Sequence, residues 1–466
     1  VTRRLTATQL FLRGLGRIIM TAFYSRIEVV NAESFPTSGP VLVVSNHENS
    51  LVDGVLVSCY LPRMPRLLAA STIWDYKPLT PLLKAARVVP IYRQQDVGLQ
   101  LAKEMPLFDR SSEALMDDGV LSVFPEGLSH NHPHLLPLKN GAARIALEAE
   151  AKGDRLGIQV VPVGLTFEDK STFRSKVLLQ VGDPIDITRQ ADAFRETSDV
   201  ADRRTLVRDL TDRIQRSLYD VTLNFGSWKD AQLVRQATEL WQRTDTWAES
   251  GADEQTIAAM RDRVRMQQTF ARGYAWLDRN RPDLLARATS DLERYLAARG
   301  DSEASLGAVR SLTLRWPRAT LLALYPMWLI GAALNFFPFH LSRWFAHGKD
   351  EDKMATWSLF SSLLLFPGFW GLQALALGGI VPHAVHSGFN WPVFWSTLIL
   401  APAAGFLSLT YLDLRKEVRE RKSARAELGA EQDLQHLRSN LAAQLEELVH
   451  AYVNRPEAKA RRRKSK

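Results

Sequence analysis

The sequence predicts a mixed α/β domain with a mostly buried sheet flanked by helices, then an all-α region and a carboxy-terminal membrane helical hairpin. Three observations carry that expectation. Between residue 41 and about 186, short apolar runs alternate with helix-like stretches. From 189 to 310 the chain turns charged and helical in period. Beyond 319 apolar residues crowd into a block containing two long runs without Asp, Glu, Lys or Arg. At 466 residues the chain is too long for one typical domain, so two or three structural units are expected.

Residues 1–30 open with a helical pattern in which Leu10, Phe11, Leu12, Leu15, Ile18, Ile19 and Phe23 interleave with Arg3, Arg4, Arg13 and Arg17. This basic amphipathic pattern suits a helix lying on a membrane surface. A core-facing helix would show much the same stripe. Within 31–188, strands are expected at 41–45, 66–70, 87–91, 120–124, 159–166 and 177–182. Helices are expected between them, near 52–60, 79–86, 108–118 and 140–151. Strands separated by helices define an α/β domain. Runs such as VLVV and VVPV favour burial on both faces of the sheet. Residues 189–310, rich in Arg, Asp, Glu and Ala, read as a soluble helical domain punctuated by Gly226, Ser227, Gly251 and Gly300.

The apolar block supplies the membrane segments. Residues 356–380 run for 25 positions and 393–411 for 19 without a fixed charge. A hydrocarbon layer of roughly 30 Å takes about 20 helical residues. Residues 356–411 therefore predict a transmembrane hairpin, and Lys349, Lys353, Arg415, Lys416, Arg419, Arg421 and Lys422 at its outer flanks put both ends on the cytoplasmic side. Pro326, Asn335 and Pro338 interrupt 319–341, which reads as a re-entrant or interfacial segment, three full spans being the alternative. Residues 412–466 form a charged helix and basic tail. Leu434, Leu437, Leu441, Leu445, Leu448 and Tyr452 make one apolar stripe, expected to pack on the protein's own helical region.

The net charge of +8 favours an anionic partner: nucleic acid, an acidic lipid surface or a phosphorylated substrate. No nucleic-acid-binding module accompanies it. The single cysteine, Cys59, excludes an internal disulfide and fits a reducing compartment.

Four segments carry chemistry. The first, Ser45-Asn46-His47-Glu48-Asn49-Ser50-Leu51-Val52-Asp53, follows a strand. A histidine at a strand end, with a carboxylate one turn into the next helix, is arranged as a general base whose tautomer the carboxylate fixes. The same residues also read as a helix cap, with Asp53 as capping partner only. In the second, Arg87-Val88-Val89-Pro90-Ile91-Tyr92-Arg93, a strand delivers Arg93, whose guanidinium suits bidentate phosphate binding. The third, Phe124-Pro125-Glu126-Gly127-Leu128-Ser129-His130, pairs a carboxylate able to accept from a glycerol hydroxyl with a glycine permitting a tight turn. Lys139, a little further on, precedes a helix whose amino end favours anions. In the fourth, Val160 to Leu165, Pro162 and Val163 would floor an acyl pocket or simply belong to the core. His130, His132 and His134 alternate as metal ligands on one strand face would, but Pro133 among them favours a solvated loop.

These segments, in this order within 46–165, resemble the glycerophospholipid acyltransferase family. Its blocks are a His–Asp box, an arginine-ending strand, a Phe-Pro-Glu-Gly box and an apolar proline-containing strand. The resemblance implies that His47 is the base and Asp53 its orienting partner. It implies that Arg93 binds phosphate, that Glu126 and Gly127, with Asn46 and Lys139, form the glycerol phosphate site, and that Pro162 and Val163 line the acyl pocket. It further implies an acyl-CoA or acyl carrier protein donor, no metal and no cofactor. The acceptor would be glycerol-3-phosphate, with lysophosphatidate and dihydroxyacetone phosphate as alternatives. The enzyme would sit in a membrane with its catalytic domain facing the cytoplasm, in a bacterial inner membrane or an endoplasmic reticulum. The commonest box has four residues between His and Asp, whereas this chain has five. That longer box is similar to the fungal-type glycerol-3-phosphate and dihydroxyacetone-phosphate acyltransferase branch. Left unabsorbed, the extra residue would rotate Asp53 by about 100° on a helical path. Two other classes compete: a hydrolase, for which Ser129 lacks a Gly-x-Ser-x-Gly elbow, and a non-catalytic membrane adaptor.

Overall fold

A computed structural model describes residues 5–75, 77, 80–91, 111, 113–115, 119–153, 156–241, 260–299, 317–381, 389–430 and 435–453. The chain divides into two compact units, Val1–Thr222 with His340–Leu364, and Leu223–Phe339 with Leu365–Lys466.

The first unit is built on one sheet. Its strands are β1 (Arg26–Val30), β2 (Val41–Ser45), β3 (Arg66–Ala70), β4 (Val89–Ile91), β5 (Val120–Val123), β6 (Gln159–Phe167), β7 (Lys176–Val181) and β8 (Ile185–Asp186). Their order is β1-β7-β6-β2-β5-β3-β4, with β8 beside β6. All pairs are parallel except β6 with β7 and β6 with β8. Six of these strands fall at or within a residue or two of their expected positions. The short edge strand β1 and two-residue β8 have no sequence pattern of their own.

Helices α1 (Ala7–Phe23), α2 (Ser50–Tyr60), α3 (Thr80–Ala85), α4 (Gly141–Lys152), α5 (Thr188–Glu196) and α6 (Val200–Val221) surround the sheet. Side chains alternate across a strand, and β2 divides accordingly. Leu42 and Val44 join a core with Ala146 and Leu147 of α4 and Leu210, Ile214 and Leu218 of α6. Val41 and Val43 face the opposite way, into a core with Met20 and Phe23 of α1 and Leu56 and Val57 of α2. Every residue of β2 is buried, as the unbroken VLVV run predicts. The boundary expected after 188 falls instead after Thr222, because the apolar stripe of α6 belongs to the sheet's core. Charge on the outer face of α6 hides that stripe in composition alone.

Arginine placement on α1 differs from the simple amphipathic reading. Arg13 and Arg17 reach across to α2 and donate to the carbonyl of Cys59, Arg13 also to that of Leu61, at the helix end. Unpaired carbonyls at a helix end attract cations, so these arginines cap α2. Leu10, Phe11 and Ile18 are left exposed. Cys59 lies buried beneath them, and burial pushes its thiol up to about 11 against the pull of the two guanidinium groups.

The second unit contains α7 (Trp228–Trp241), α8 (Met260–Asn280), α9 (Pro282–Arg299) and, past the apolar helices α10 (Pro317–Ala346), α11 (Glu351–Ile380) and α12 (Trp391–Ala430), the terminal α13 (Gln435–Val453). Leu441 and Leu445 of α13 bury against Leu233, Ala237 and Leu240 of α7 and Leu292 and Tyr295 of α9. The leucine stripe therefore packs on the protein's own helices; Leu434 lies outside the described residues.

Three segments, Ala319–Ala346, Glu351–Ile380 and Trp391–Lys416, are long and apolar enough to cross a membrane by length and composition. Pro326 and Pro338 do not break α10. The polar residue at its centre is satisfied by its neighbours: Asn335 donates to Gly331 O at 2.8 Å and accepts from Trp370 Nε1 at 2.9 Å. Such satisfaction is what lets an interrupted apolar helix persist away from water. Helix α11 begins inside the first unit, where Ala355 joins the α1/α2 core and Glu351 accepts from Asn131.

Gly164 of β6 marks the tightest approach of helix to sheet. A Cβ built there would lie 1.9 Å from the Val221 carbonyl oxygen, a backbone atom that cannot swing away. Gly164→Ala is therefore expected to destabilise the first unit by about 1–3 kcal/mol. The thermal midpoint of the purified variant measures it, and an unchanged midpoint contradicts this packing.

Candidate active site

Strands β2 and β5 run parallel with Val44 opposite Val123, so the loops after both leave the sheet side by side at its carboxyl edge. Ligands in open α/β sheets bind along that edge. His47 follows β2 and Phe124 follows β5, and their rings stack at 4.2 Å between centroids with 16° between planes. Asp53, on the first turns of α2, is fully buried, and its Oδ2 lies 2.9 Å from His47 Nδ1. The same oxygen accepts the Asn49 N–H at 2.7 Å. One oxygen of Asp53 thus meets both the imidazole and a backbone N–H at the start of α2. A carboxylate on Nδ1 places the hydrogen there and leaves Nε2 as the basic nitrogen. Nε2 has no partner among the described residues, and the ring remains 19% exposed. This is a histidine braced on one nitrogen and open on the other.

The five-residue spacing is absorbed at Ser50. Its φ is +45°, in the left-handed region, and its N–H donates to Ser129 Oγ at 3.0 Å. Asn49 meanwhile anchors its side chain inward, donating to Tyr24 OH and to the Lys170 carbonyl. The turn takes up the extra residue before α2 settles, so Asp53 still meets the imidazole.

Glu126 sits close to His47, but its oxygens are occupied by protein. Oε1 accepts the His47 N–H at 2.8 Å; Oε2 accepts the Leu136 N–H at 2.7 Å and lies 2.5 Å from His130 Nε2. At 2% exposure it is a strut holding the His47 loop to the turn, where the sequence suggested a carboxylate offered to glycerol. Asn46 differs from expectation in the same way: it donates to Leu165 O and Glu48 Oε1 and accepts the Leu165 N–H, lacing β2 to β6. Both were read as ligands because polarity beside a motif histidine says nothing about which way an oxygen points.

Gly127, at φ +76°, closes the turn with its N–H on Phe124 O at 3.0 Å. The exposed Lys139 side chain lies against it, its Nζ 2.6 Å from where a Gly127 Cβ would stand. Only a glycine leaves room for both the turn and the lysine. Lys139 directly precedes α4, whose N-cap, Asn140, makes no side-chain cap bond to the helix. An ammonium and uncapped helix amides thus meet beside the box. Pro162 and Val163 lie in the sheet interior opposite Val44 and Ser45, with Val163 wholly buried. Arg93, just beyond β4, lies outside the described residues, as does most of the helix expected at 108–118. His130 is committed to Glu126, and its Nδ1 accepts the His132 N–H. Among the described residues no group of three or more His, Cys, Asp or Glu is disposed to hold a metal ion.

Residues 26–166 match the acyltransferase family model. Among curated relatives, glycerol-3-phosphate O-acyltransferase 1 of Saccharomyces cerevisiae is 29% identical over 192 residues, 41% of this chain and 24% of the yeast protein. Glycerol-3-phosphate O-acyltransferase 2 of the same yeast is 33% identical over 136 residues, 29% of this chain and 18% of that protein. The match thus spans less than a quarter of these relatives' length. Among solved structures, the 1-acyl-sn-glycerophosphate (LPA) acyltransferase PlsC from Thermotoga maritima aligns with a TM-score of 0.32 and 20% identity, over 45% of this chain and 79% of that one.

Glu48, next to His47, is a residue whose chemistry the sequence did not suggest. Burial pushes its carboxyl from 4.5 up to about 7; the Lys170 ammonium opposes the rise and Asp53 adds to it. A carboxyl raised on folding holds its proton more tightly in the folded state, so stability falls as pH climbs from about 4.5 to about 7. Glu48→Gln keeps an oxygen for Asn46 and removes the ionisation. The variant is expected to gain about 1–2 kcal/mol over the parent at pH 8, after allowance for solvent screening, and little at pH 5. Denaturant melts at the two pH values check it; an equal effect at both would refute the assignment.

Proposed function

We propose that the chain is a membrane-bound acyltransferase that moves a fatty acyl group from acyl-CoA, or acyl carrier protein, to a hydroxyl of glycerol-3-phosphate, giving lysophosphatidate. The observation that carries the reading is the His47–Asp53 pair, with Nδ1 tied to a buried carboxylate and Nε2 open at the carboxyl edge of the sheet. The similarity to two yeast proteins named as glycerol-3-phosphate O-acyltransferases supports the choice of acceptor.

In this mechanism Nε2 takes the proton of the acceptor hydroxyl as its oxygen attacks the thioester carbonyl. The C–S bond then breaks, and the thiolate leaves with the proton returned from the imidazolium. Buried Asp53 stabilises the cation formed in between, and the Phe124 face holds the ring plane. Lys139, the amino end of α4 and Arg93 are the proposed phosphate ligands, since two cations and helix amides suit a dianion. Lysophosphatidate and dihydroxyacetone phosphate present the same phosphate and hydroxyl and are the alternative acceptors. We further infer that the catalytic unit faces the cytoplasm, because Lys349 and Lys353 precede, and Arg415, Lys416 and Arg419 follow, the hairpin expected at 356–411. An anionic bilayer is the lipid partner this charge suits.

Purified protein in bilayer discs, offered the three acceptors in parallel with one acyl-CoA, tests the reading. Glycerol-3-phosphate should be acylated fastest. His47→Ala should cut kcat by about 10²–10⁴-fold, and Asp53→Asn should cut kcat more than it raises KM for the acceptor. Full activity in His47→Ala would mean the base is another group.

A further inference from the structure

The acyl-transfer chemistry above gives no task to Ser129, whose hydroxyl stands beside the box. Its Oγ accepts the Ser50 N–H at 3.0 Å, across 79 residues of sequence. Ser50 is the residue that the longer His–Asp box forces into the left-handed region, at φ +45°. A residue with a side chain seldom takes that conformation, which crowds its Cβ. It is also the first residue of α2, where backbone N–H groups have no partner within the helix. The neighbouring Asn49 N–H and His47 Nδ1 both point to Asp53 Oδ2, so the turn at Ser50 decides whether the two donors converge on one oxygen.

We propose that Ser129 is a positioning residue: its hydroxyl clamps the left-handed Ser50 turn and so holds Asp53 in register with His47. The clamp joins the loop after β5 to the loop after β2. Those same loops are held together by Glu126 on the His47 N–H and by the His130 N–H on the His47 carbonyl at 3.2 Å. Ser129 is the member of this set that grips the residue beyond the histidine, where the box is one residue longer. Its role accounts for a serine beside a catalytic histidine without making it a nucleophile, since its oxygen is given to a backbone donor. The kcat part of the following test rests on the proposed acyl transfer; the histidine-reactivity part does not.

Four proteins are compared: the parent, Ser129→Ala, Ser129→Thr and the double variant Ser50→Gly/Ser129→Ala. Two quantities are read: kcat for acyl transfer, and the rate of His47 carbethoxylation by diethyl pyrocarbonate across pH 5–8, located by mass spectrometry. Ser129→Ala should lose about tenfold or more in kcat, as small misalignments of a catalytic group do, with KM for the acceptor little changed. Its His47 modification profile should shift along the pH axis. Ser129→Thr, which keeps the hydroxyl, should stay near the parent. Glycine needs no help to adopt a positive φ, so the double variant should recover most of both readouts. Parent-like kcat and reactivity in Ser129→Ala, no recovery in the double variant, or an acyl ester on Ser129 would each overturn the clamp. If Ser129→Ala does not fold, a folded and active double variant supports it, and a double variant equally unfolded overturns it. A parent with no transfer to any acceptor would sink the proposed function, while the reactivity comparison would still decide the clamp.

Discussion

The parallel pairing of β2 with β5 is the constraint on which the rest of this site depends. Each strand is buried and, but for Ser45 and Ser122, apolar, and one step of slip would turn Leu42 and Val44 out of the core they share with α4 and α6. With Val44 held opposite Val123, the chain emerges from both strands at the same height. His47, three residues past Val44, and Phe124, one past Val123, then meet face to face without a long loop having to be ordered for the purpose. Ordering backbone costs about 1–2 kcal/mol per residue, and here hydrophobic pairing of the strands does most of that ordering. The site is thus positioned largely by apolar side chains.

What the strands leave undone, a set of buried polar contacts completes. An unpaired charge in the interior is costly, and Asp53 is shielded from water entirely. Two donors on its Oδ2 compensate it, and one of them is the His47 ring. Glu126 acts alike: a backbone N–H on Oε1, and another with the His130 ring on Oε2. Each carboxylate needs its donors to remain buried, and each donor lies in a loop that would otherwise be free. The stability of the buried carboxylates and the geometry of the site are one requirement.

Much of this was legible in the sequence, and the limits have physical causes. Apolar runs such as VLVVS located strands to the residue, because burial on both faces leaves few alternatives. His47 and Asp53 could be paired through the resemblance of the four segments together, which their spacing alone does not carry. The turn itself was not legible, since it depends on Ser50 adopting a conformation serines seldom take and on a hydroxyl 79 positions away. The partners that Asn46 and Glu126 hold within the protein were not legible for a related reason. Hydrogen bonds across the sheet, such as Asn46 with Leu165, join residues far apart in the chain, and no local pattern announces them. The end of the catalytic unit was placed too early because α6 is charged on its outer face, and composition averages over both faces of a helix.

The membrane segments connect to the site through packing. The core beneath α1 and α2 includes Ala355, and partly buried Leu359 packs against it, so the start of an apolar helix is built into the wall of the catalytic unit. Glu351, at the head of that helix, accepts from Asn131; Asn131 accepts from Lys170; and Lys170 supplies the positive charge that opposes the rise in Glu48. A chain of polar contacts therefore runs from the first turn of α11 to the residue beside His47. Close-packed interiors transmit displacement because they leave no void to absorb it. A catalytic unit that shares its core with the head of such a helix cannot shift along that helix without disturbing the residues that shape the site.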